Sequence, residues 1–288
     1  MDDGARAAWE QSGDRPQGAR ARRLVVANWL KPKEPIPRAV YMTASALTVF
    51  GLFGGWALLT YGGFVRPEFL PAPHDVVRSA LELLADGTLW SHIRASCFVI
   101  FLGFALASVL AVPLGILMGS FALVEALVEP VVDFVRYLPV SAMIPLLILW
   151  VGIDYEARVA VIFIGTFFQQ MILIADVSAN VSRDLLDVAY TLGAGRGKVV
   201  SRVLIPATLP GVMDTLRITM GWAWTYLVVA ELVAANRGLG YMILNSMRGL
   251  FTDRIFVGIM VIGLLGLVTD QCFRYLHRWL LPWSPKAG

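Results

Sequence analysis

Six apolar runs, most of them close to the length that crosses a hydrocarbon core, recur between Val40 and Tyr275 and leave this chain few folds to choose from. A bilayer core asks for about 20 apolar residues per helix, and every backbone N–H and C=O inside it must be bonded within the protein. The runs span roughly Val40 to Tyr61, Ala95 to Met118, Tyr137 to Ile153, Val159 to Val181, Pro210 to Ala234 and Ile255 to Tyr275. They predict an all-α, polytopic membrane protein of about six transmembrane helices. With 57% hydrophobic and 16% charged residues and a mean hydropathy of +0.68, a water-soluble domain of 288 residues is excluded as the expectation. The third run has only about 17 residues between Arg136 and Asp154 and carries Pro139 and Pro145, which predicts a kinked or partly re-entrant element. Asp214 and Arg217 lie three apart near the inner end of the fifth run, a spacing that lets them pair on one helical face.

Between the fourth and fifth runs the pattern changes. From Arg183 to Pro210 the chain turns polar and amphipathic, too short and too charged to span a bilayer. Leu185, Leu186, Val188, Ala189 and Leu192 fall on one helical face, Ser182 can cap the start, and Gly193 suits a left-handed stop. A second short helix is expected from Gly197 to Leu204, ended by Pro206 because proline removes a donor. The segment reads as a docking surface.

Charge placement sets the orientation. With the N-terminus inside, the inner segments hold all four lysines, Lys31, Lys33, Lys198 and Lys286, with the N-terminal arginines. The outer loops hold scattered arginines such as Arg66, Arg158 and Arg237. A short inner turn with Glu125, Glu129 and Asp133 runs against the trend, although acids weigh little in the rule. Six spans then place both termini in the cytoplasm and residues 183–210 on the cytoplasmic side. Residues 1–38 read as a basic, partly disordered cytoplasmic extension, 39–281 as the transmembrane domain and 282–288 as a cytoplasmic tail. Arg20, Arg22 and Arg23 beside Leu24 to Leu30 fit either a surface-lying helix or a plain topogenic cluster. The apolar stretch starts too late and runs too long for a cleaved signal peptide. No internal repeat and no soluble domain is evident.

Catalytic signatures are missing from the sequence. It has no Gly-x-x-x-x-Gly-Lys-Ser/Thr, so it is not expected to hydrolyse ATP, and no cofactor is expected on this chain. His74, His92 and His277 have no metal-ligand spacing, and no metal site is expected. Cys97 and Cys272 read as small apolar residues. Asp176 and Asp270 lack the context of an intramembrane aspartyl pair and read as helix-end charges. A membrane-embedded hydrolase would need a nucleophile and base in recognisable context. A secondary transporter would be expected to show more spans, with discontinuous helices in paired repeats. These two stand as the alternative readings.

The polar segment resembles the cytoplasmic coupling loop of ABC-importer permeases: Glu-Ala-Ala, three residues, Gly, nine residues, then Ile-x-Leu-Pro. Asp187-Val188-Ala189 takes the first triplet, Gly193 the glycine and Val203-Leu204-Ile205-Pro206 the tail, with Asp187 one methylene short of Glu and Val188 in place of a small residue. Leu70-Pro71-Ala72-Pro73 followed by Val76 or Val77, Asp86 to His92, Pro145 to Ile153, Ala230-Glu231-Leu232 and Arg237 to Tyr241 are similar to segments of the nitrate, sulfonate, taurine and bicarbonate branch.

The resemblance implies a type I ABC importer permease fold in the bacterial inner membrane. It implies a second copy of this permease, two copies of an ABC ATPase that hold ATP and Mg, and a periplasmic or lipid-anchored solute-binding protein. No nucleic acid partner is implied. Leu185, Asp187, Val188, Ala189, Leu192, Gly193, Val203, Ile205 and Pro206 would form the ATPase-coupling set, with Asp187 meeting a basic residue of the ATPase. A small-molecule solute such as nitrate, a sulfonate, taurine, bicarbonate or an aromatic carboxylate is implied, its selectivity set mostly by the binding protein.

Polar groups inside spans are costly and commonly face a cavity. Gln169 and Gln170 in the fourth run and Trp222, Trp224, Thr225 and Tyr226 in the fifth bring amide, hydroxyl and indole donors suited to passing a small oxyanion. Passage lining and helix packing both fit each of them. Glu231, near the outer end, fits a gate, a binding-protein contact or a plain interface charge.

Overall fold

The computed structural model describes residues 36–284. Lys31, Lys33, Lys286, the arginine cluster at 20–23 and nearly all of the expected N-terminal extension lie outside the described residues. The chain divides into two units, residues 1–62 and 63–288.

In the first unit, α1 (Arg38–Tyr61) is a 24-residue apolar helix. Its threonine hydroxyls are satisfied locally: Thr43, Thr48 and Thr60 donate to carbonyls three or four residues back. That bonding lets a threonine sit in a span without an orphan donor.

The second unit is built on α2 (Pro73–Ala85), α3 (Thr88–Ser120), α4 (Ala122–Arg136), α5 (Val140–Val151), α6 (Tyr155–Ala179), α7 (Arg183–Thr191), α8 (Arg196–Val199), α9 (Ile205–Ala234), α10 (Leu239–Arg248) and α11 (Thr252–Leu280). Among the described residues, five helices are long and apolar enough to cross a membrane, α1, α3, α6, α11 and the run through α8 and α9. The pair α4 and α5, bent by 97°, makes a sixth if counted as one span. The expected kink in the third run is this bend, and it falls at Tyr137-Leu138-Pro139, where proline disfavours helix in the residue before it.

The centre of the unit is α3 against α6. Gly103, Ala107, Ala111, Gly115 and Gly119 recur every fourth residue on α3, and this stripe lets the two backbones approach. A Cβ on Gly103 would stand 2.9 Å from Ile162 Cβ, and one on Gly115 would stand 2.7 Å from the Met171 carbonyl. The successive contacts show the two helices running parallel. Helix α9 packs antiparallel on α6, and α11 antiparallel on α9, where Trp224 Nε1 donates to Thr269 Oγ1 at 3.2 Å. Val99, Phe104, Ile162, Met220, Trp224 and Leu227 fill the shared core.

Four amphipathic helices, α2, α4, α7 and α10, lie outside the apolar runs. Helix α4 carries Glu125, Glu129 and Asp133, so the expected inner turn is instead a 15-residue helix whose Val132 is buried against α3 and α6. Pro73 opens α2, which buries Val76, Ser79 and Leu83 and leaves Val77 exposed. The Ser79 hydroxyl is hydrogen-bonded to Asp253 at the start of α11. Thr88 N–H donates to Asp86 at 2.8 Å, which holds that carboxyl below its ordinary pKa and starts α3.

Two charge assignments change. Arg158 is not an outer-loop cation: it sits in the first turn of α6, 4% exposed, with Nη1 donating to the Arg237 carbonyl at 3.1 Å. Arg217 reaches across to α11, its Nε 2.6 Å from Asp270, which also takes Arg274 at 2.7 Å.

Candidate functional site: an exposed loop and a cavity at a broken span

The loop between α6 and α9 opens on α7. Ser182 precedes it without a side-chain cap; its carbonyl, not its hydroxyl, accepts from Leu185 N–H at 3.3 Å. The end of α7 is closed at Gly193. Gly193 N–H donates to the Tyr190 carbonyl at 2.9 Å and Ala194 N–H to the Ala189 carbonyl at 3.0 Å, with Gly193 at φ +79°. This is the paired bonding of a Schellman stop, which needs a left-handed residue at that position.

The turn fixes what α7 presents. Leu185, Val188 and Leu192 are exposed in one stripe, Leu192 at 83%, while Leu186 and Ala189 are half-buried. Asp187 is exposed beside them and has no ion pair among the described residues.

The second half of the loop departs from the expectation. Pro206 does not end a helix. Helix α8 passes through a π turn at Val200–Leu204 straight into α9, and Pro206 lies in its first turn, where a missing N–H costs little. Val203 and Pro206 are half-buried and Ile205 is exposed, while Val199 and Leu204 are buried.

A cavity of about 350 Å³ lies at the α4–α5 bend, between α5, α6 and α9. Its polar wall comprises Arg136, Ser141, Gln169, Thr225 and Tyr226, with Tyr137 beside them. Arg136 Nε lies 3.0 Å from Asp133, and Nη2 donates to the Tyr137 hydroxyl at 2.9 Å. The Tyr226 ring is admitted by Gly165, where a Cβ would stand 2.7 Å from its Cδ2. Amide, hydroxyl and guanidinium donors thus outnumber the acceptors around this space. An oxyanion passing through could exchange hydrogen bonds without meeting an unopposed charge.

Of the intramembrane residues singled out by sequence, Gln169, Thr225 and Tyr226 come together here. The others do not. Trp224 is core, Trp222 is exposed on α9, and Gln170 is fully buried with both amide atoms unpartnered. Glu231 is 0% exposed at the opposite end of the bundle from the α7 loop. It accepts from Ser96 Oγ at 2.7 and 3.0 Å and from Gly240 N–H at 2.8 Å, with Arg158 Nη1 4.0 Å away. Gly238 N–H donates to His92 Nδ1 at 3.1 Å in the same cluster. Burial of this carboxylate among α3, α6, α9 and α10 makes it a joint between helices rather than an interface charge. Sequence reasoning passed over Arg136 and Ser141; their signal was the Pro139 break, which places a cation and a hydroxyl at the mouth of a span.

The long apolar helices, with an exposed amphipathic loop and a polar cavity at a broken span, are those of a multi-pass membrane protein. The chain belongs to the family of binding-protein-dependent transport system inner membrane components, matched over residues 111–282, and is an ABC-importer permease subunit of that family. It is 34% identical over 264 residues to the taurine transport system permease protein of Escherichia coli (strain K12), covering 90% of this chain and 95% of that one. It is also 34% identical over 228 residues to a permease protein of Bacillus subtilis (strain 168) named for aliphatic sulfonates transport, covering 79% and 83%. Among solved structures, it is similar to the MetNI methionine ABC transporter in an inward-facing conformation. The TM-score there is 0.56 at 19% identity, over 65% of this chain and 95% of that chain, which shows the fold.

Proposed function

We propose that this permease carries a small anionic or sulfonate-like solute inward, driven by ATP hydrolysed on a separate subunit. The observation that carries the reading is the exposed stripe of Leu185, Val188 and Leu192 beside Asp187, which has no ion pair among the described residues, on a helix closed by the Gly193 stop. An apolar stripe of this kind in water is costly unless a partner covers it. The partner is an ABC ATPase, two copies holding ATP and Mg, each receiving one α7 in a surface cleft, with a basic residue opposite Asp187. This chain supplies no hydrolytic chemistry of its own.

Two copies of the chain form the passage, and a periplasmic or lipid-anchored binding protein delivers the solute. Both termini are cytoplasmic. Support for an anion comes from the donor-rich cavity at Arg136, Gln169, Thr225 and Tyr226 and from the names of the taurine and sulfonate relatives.

The test is uptake of radiolabelled taurine and of an alkanesulfonate into proteoliposomes containing this chain, its ATPase and its binding protein. ATP-dependent uptake that ends when Leu192→Asp displaces the ATPase is expected. Uptake by the chain alone would overturn the coupling, and uptake of neither sulfonate would overturn the solute class.

A further inference from the structure

At the end of the bundle that bears α7, α9 and α11 enclose a basic recess separate from the cavity at the α4–α5 bend. It measures about 310 Å³ and is walled by Asp214 and Arg217 from α9 and Arg274, His277 and Arg278 from α11, with Phe273 at its edge. Asp270 binds both Arg217 and Arg274. Among the described residues of the lining, three guanidiniums stand against the carboxylates of Asp214 and Asp270, and Asp270 alone takes two of them.

Arg278 is exposed and has no acidic partner among the described residues; its Nε only leans on the Arg274 carbonyl at 3.4 Å. His277 is 7% exposed, and its buried Nε2 has no hydrogen-bond partner. A buried polar atom left this way calls for a ligand group to satisfy it.

Phe273 also borders a second hollow, about 580 Å³, that runs along α11 past Leu267, Val268, Cys272, Tyr275 and Leu276 and is almost wholly apolar. The two hollows meet at one side chain. A free anion would use only the recess, and a partner helix would use only the groove. A molecule charged at one end and apolar along its length uses both.

We propose that the joined hollows bind one anionic phospholipid, its phosphate held by Arg278, Arg274 and His277 and an acyl chain lying along Val268, Cys272 and Leu276. The depth suits this. Arg274 to Arg278 occupy the last two turns of α11, where headgroups meet the ends of membrane helices and basic recesses between helices take lipid phosphates. The site lies in the leaflet of the α7 loop. It rests on the membrane-spanning fold alone, so it can fail without touching the coupling reading.

The test uses the purified full chain in detergent, stripped of lipid and titrated with dioleoylphosphatidylglycerol, dioleoylphosphatidylcholine or glycerol 1-phosphate. Bound lipid is read by native mass spectrometry and occupancy of the groove by the rate of maleimide addition to exposed Cys272. Phosphatidylglycerol is expected to be retained and to slow Cys272 labelling several-fold, whereas phosphatidylcholine and glycerol 1-phosphate do neither. Arg278→Gln is expected to weaken phosphatidylglycerol binding roughly fivefold, and Arg254→Gln, at the other end of α11, to leave it unchanged. Equal retention of the two lipids, or an unaltered Arg278→Gln, would overturn the proposal. Competition by glycerol 1-phosphate at equal strength would make the recess a site for free anions. Cys272 cross-linking between copies would show the groove to be a protein interface instead.

Discussion

The Ser96 hydroxyl on α3 bridges Glu231 on α9 and the start of α10: it lies 2.7 and 3.0 Å from the two carboxylate oxygens and accepts Leu239 N–H at 2.8 Å. Three elements are tied through one oxygen. Ser96→Ala leaves Leu239 N–H and part of the carboxylate buried without partners, at a cost of about 1–3 kcal/mol. Gly240→Ala acts on the same joint by overpacking, since its Cβ would stand 2.8 Å from Glu231 Cβ and 2.9 Å from the Val228 carbonyl. Both variants should lower the thermal midpoint of the detergent-solubilised protein. A wild-type midpoint for both would mean that the joint contributes nothing to stability.

Gly193 meets nothing within 4 Å, so a side chain there is opposed by backbone geometry alone. At φ +79°, Gly193→Val should cost about 1–3 kcal/mol locally. Asparagine tolerates the left-handed region and should be milder. The expected outcome is a Val variant that inserts in the membrane at normal abundance but no longer drives uptake, with the Asn variant between it and wild type. Normal uptake by Gly193→Val would show that the left-handed stop is not needed for transport.

On α7, Asp187→Ala should weaken co-purification of the ATPase by severing one ionic contact. Leu192→Asp should weaken it further, because Leu192 is the most exposed member of the stripe. Affinity pull-down of the tagged permease measures both. Undiminished recovery of the ATPase with either variant would show that α7 is not its seat.

In the cavity, Arg136→Gln removes the charged donor and should reduce uptake of an anionic solute roughly tenfold, the worth of one charge-assisted hydrogen bond. Gly165→Ala should act through Tyr226, whose ring must shift to admit the new methyl. Initial-rate measurements across solute concentration separate the two. Equal rates for Arg136→Gln and wild type would place the solute path elsewhere.

The spans were legible because a bilayer imposes a length and a polarity that a single sequence displays. Gly193 was legible for a related reason, since a glycine after an amphipathic turn has one common backbone use. What a search for long apolar runs hid were α2, α4 and α10, whose apolar residues fall on one face and are interrupted by polar ones. Pro206 misled because a proline reads as a stop in isolation, whereas the wide turn at Val200–Leu204 lets the helix run through it. Sequence gives the cost of a buried polar group such as Glu231 or the Trp224 indole but not the address of its partner. Ser96 lies 135 positions from Glu231.

Helix α8, the π turn and α9 form one unbroken helical run, counted as 39 residues from Arg196 to Ala234, with Lys198 near one end and Tyr226 and Glu231 towards the other. No slack linker lies between the exposed end at Lys198 and the cavity wall. A tug at that end therefore has two places to go: into the loosened coil at Val200–Leu204, or undiminished to the ring of Tyr226 where it leans on Gly165. On the proposed coupling, the stiffness of those five residues would set how much of each stroke is delivered.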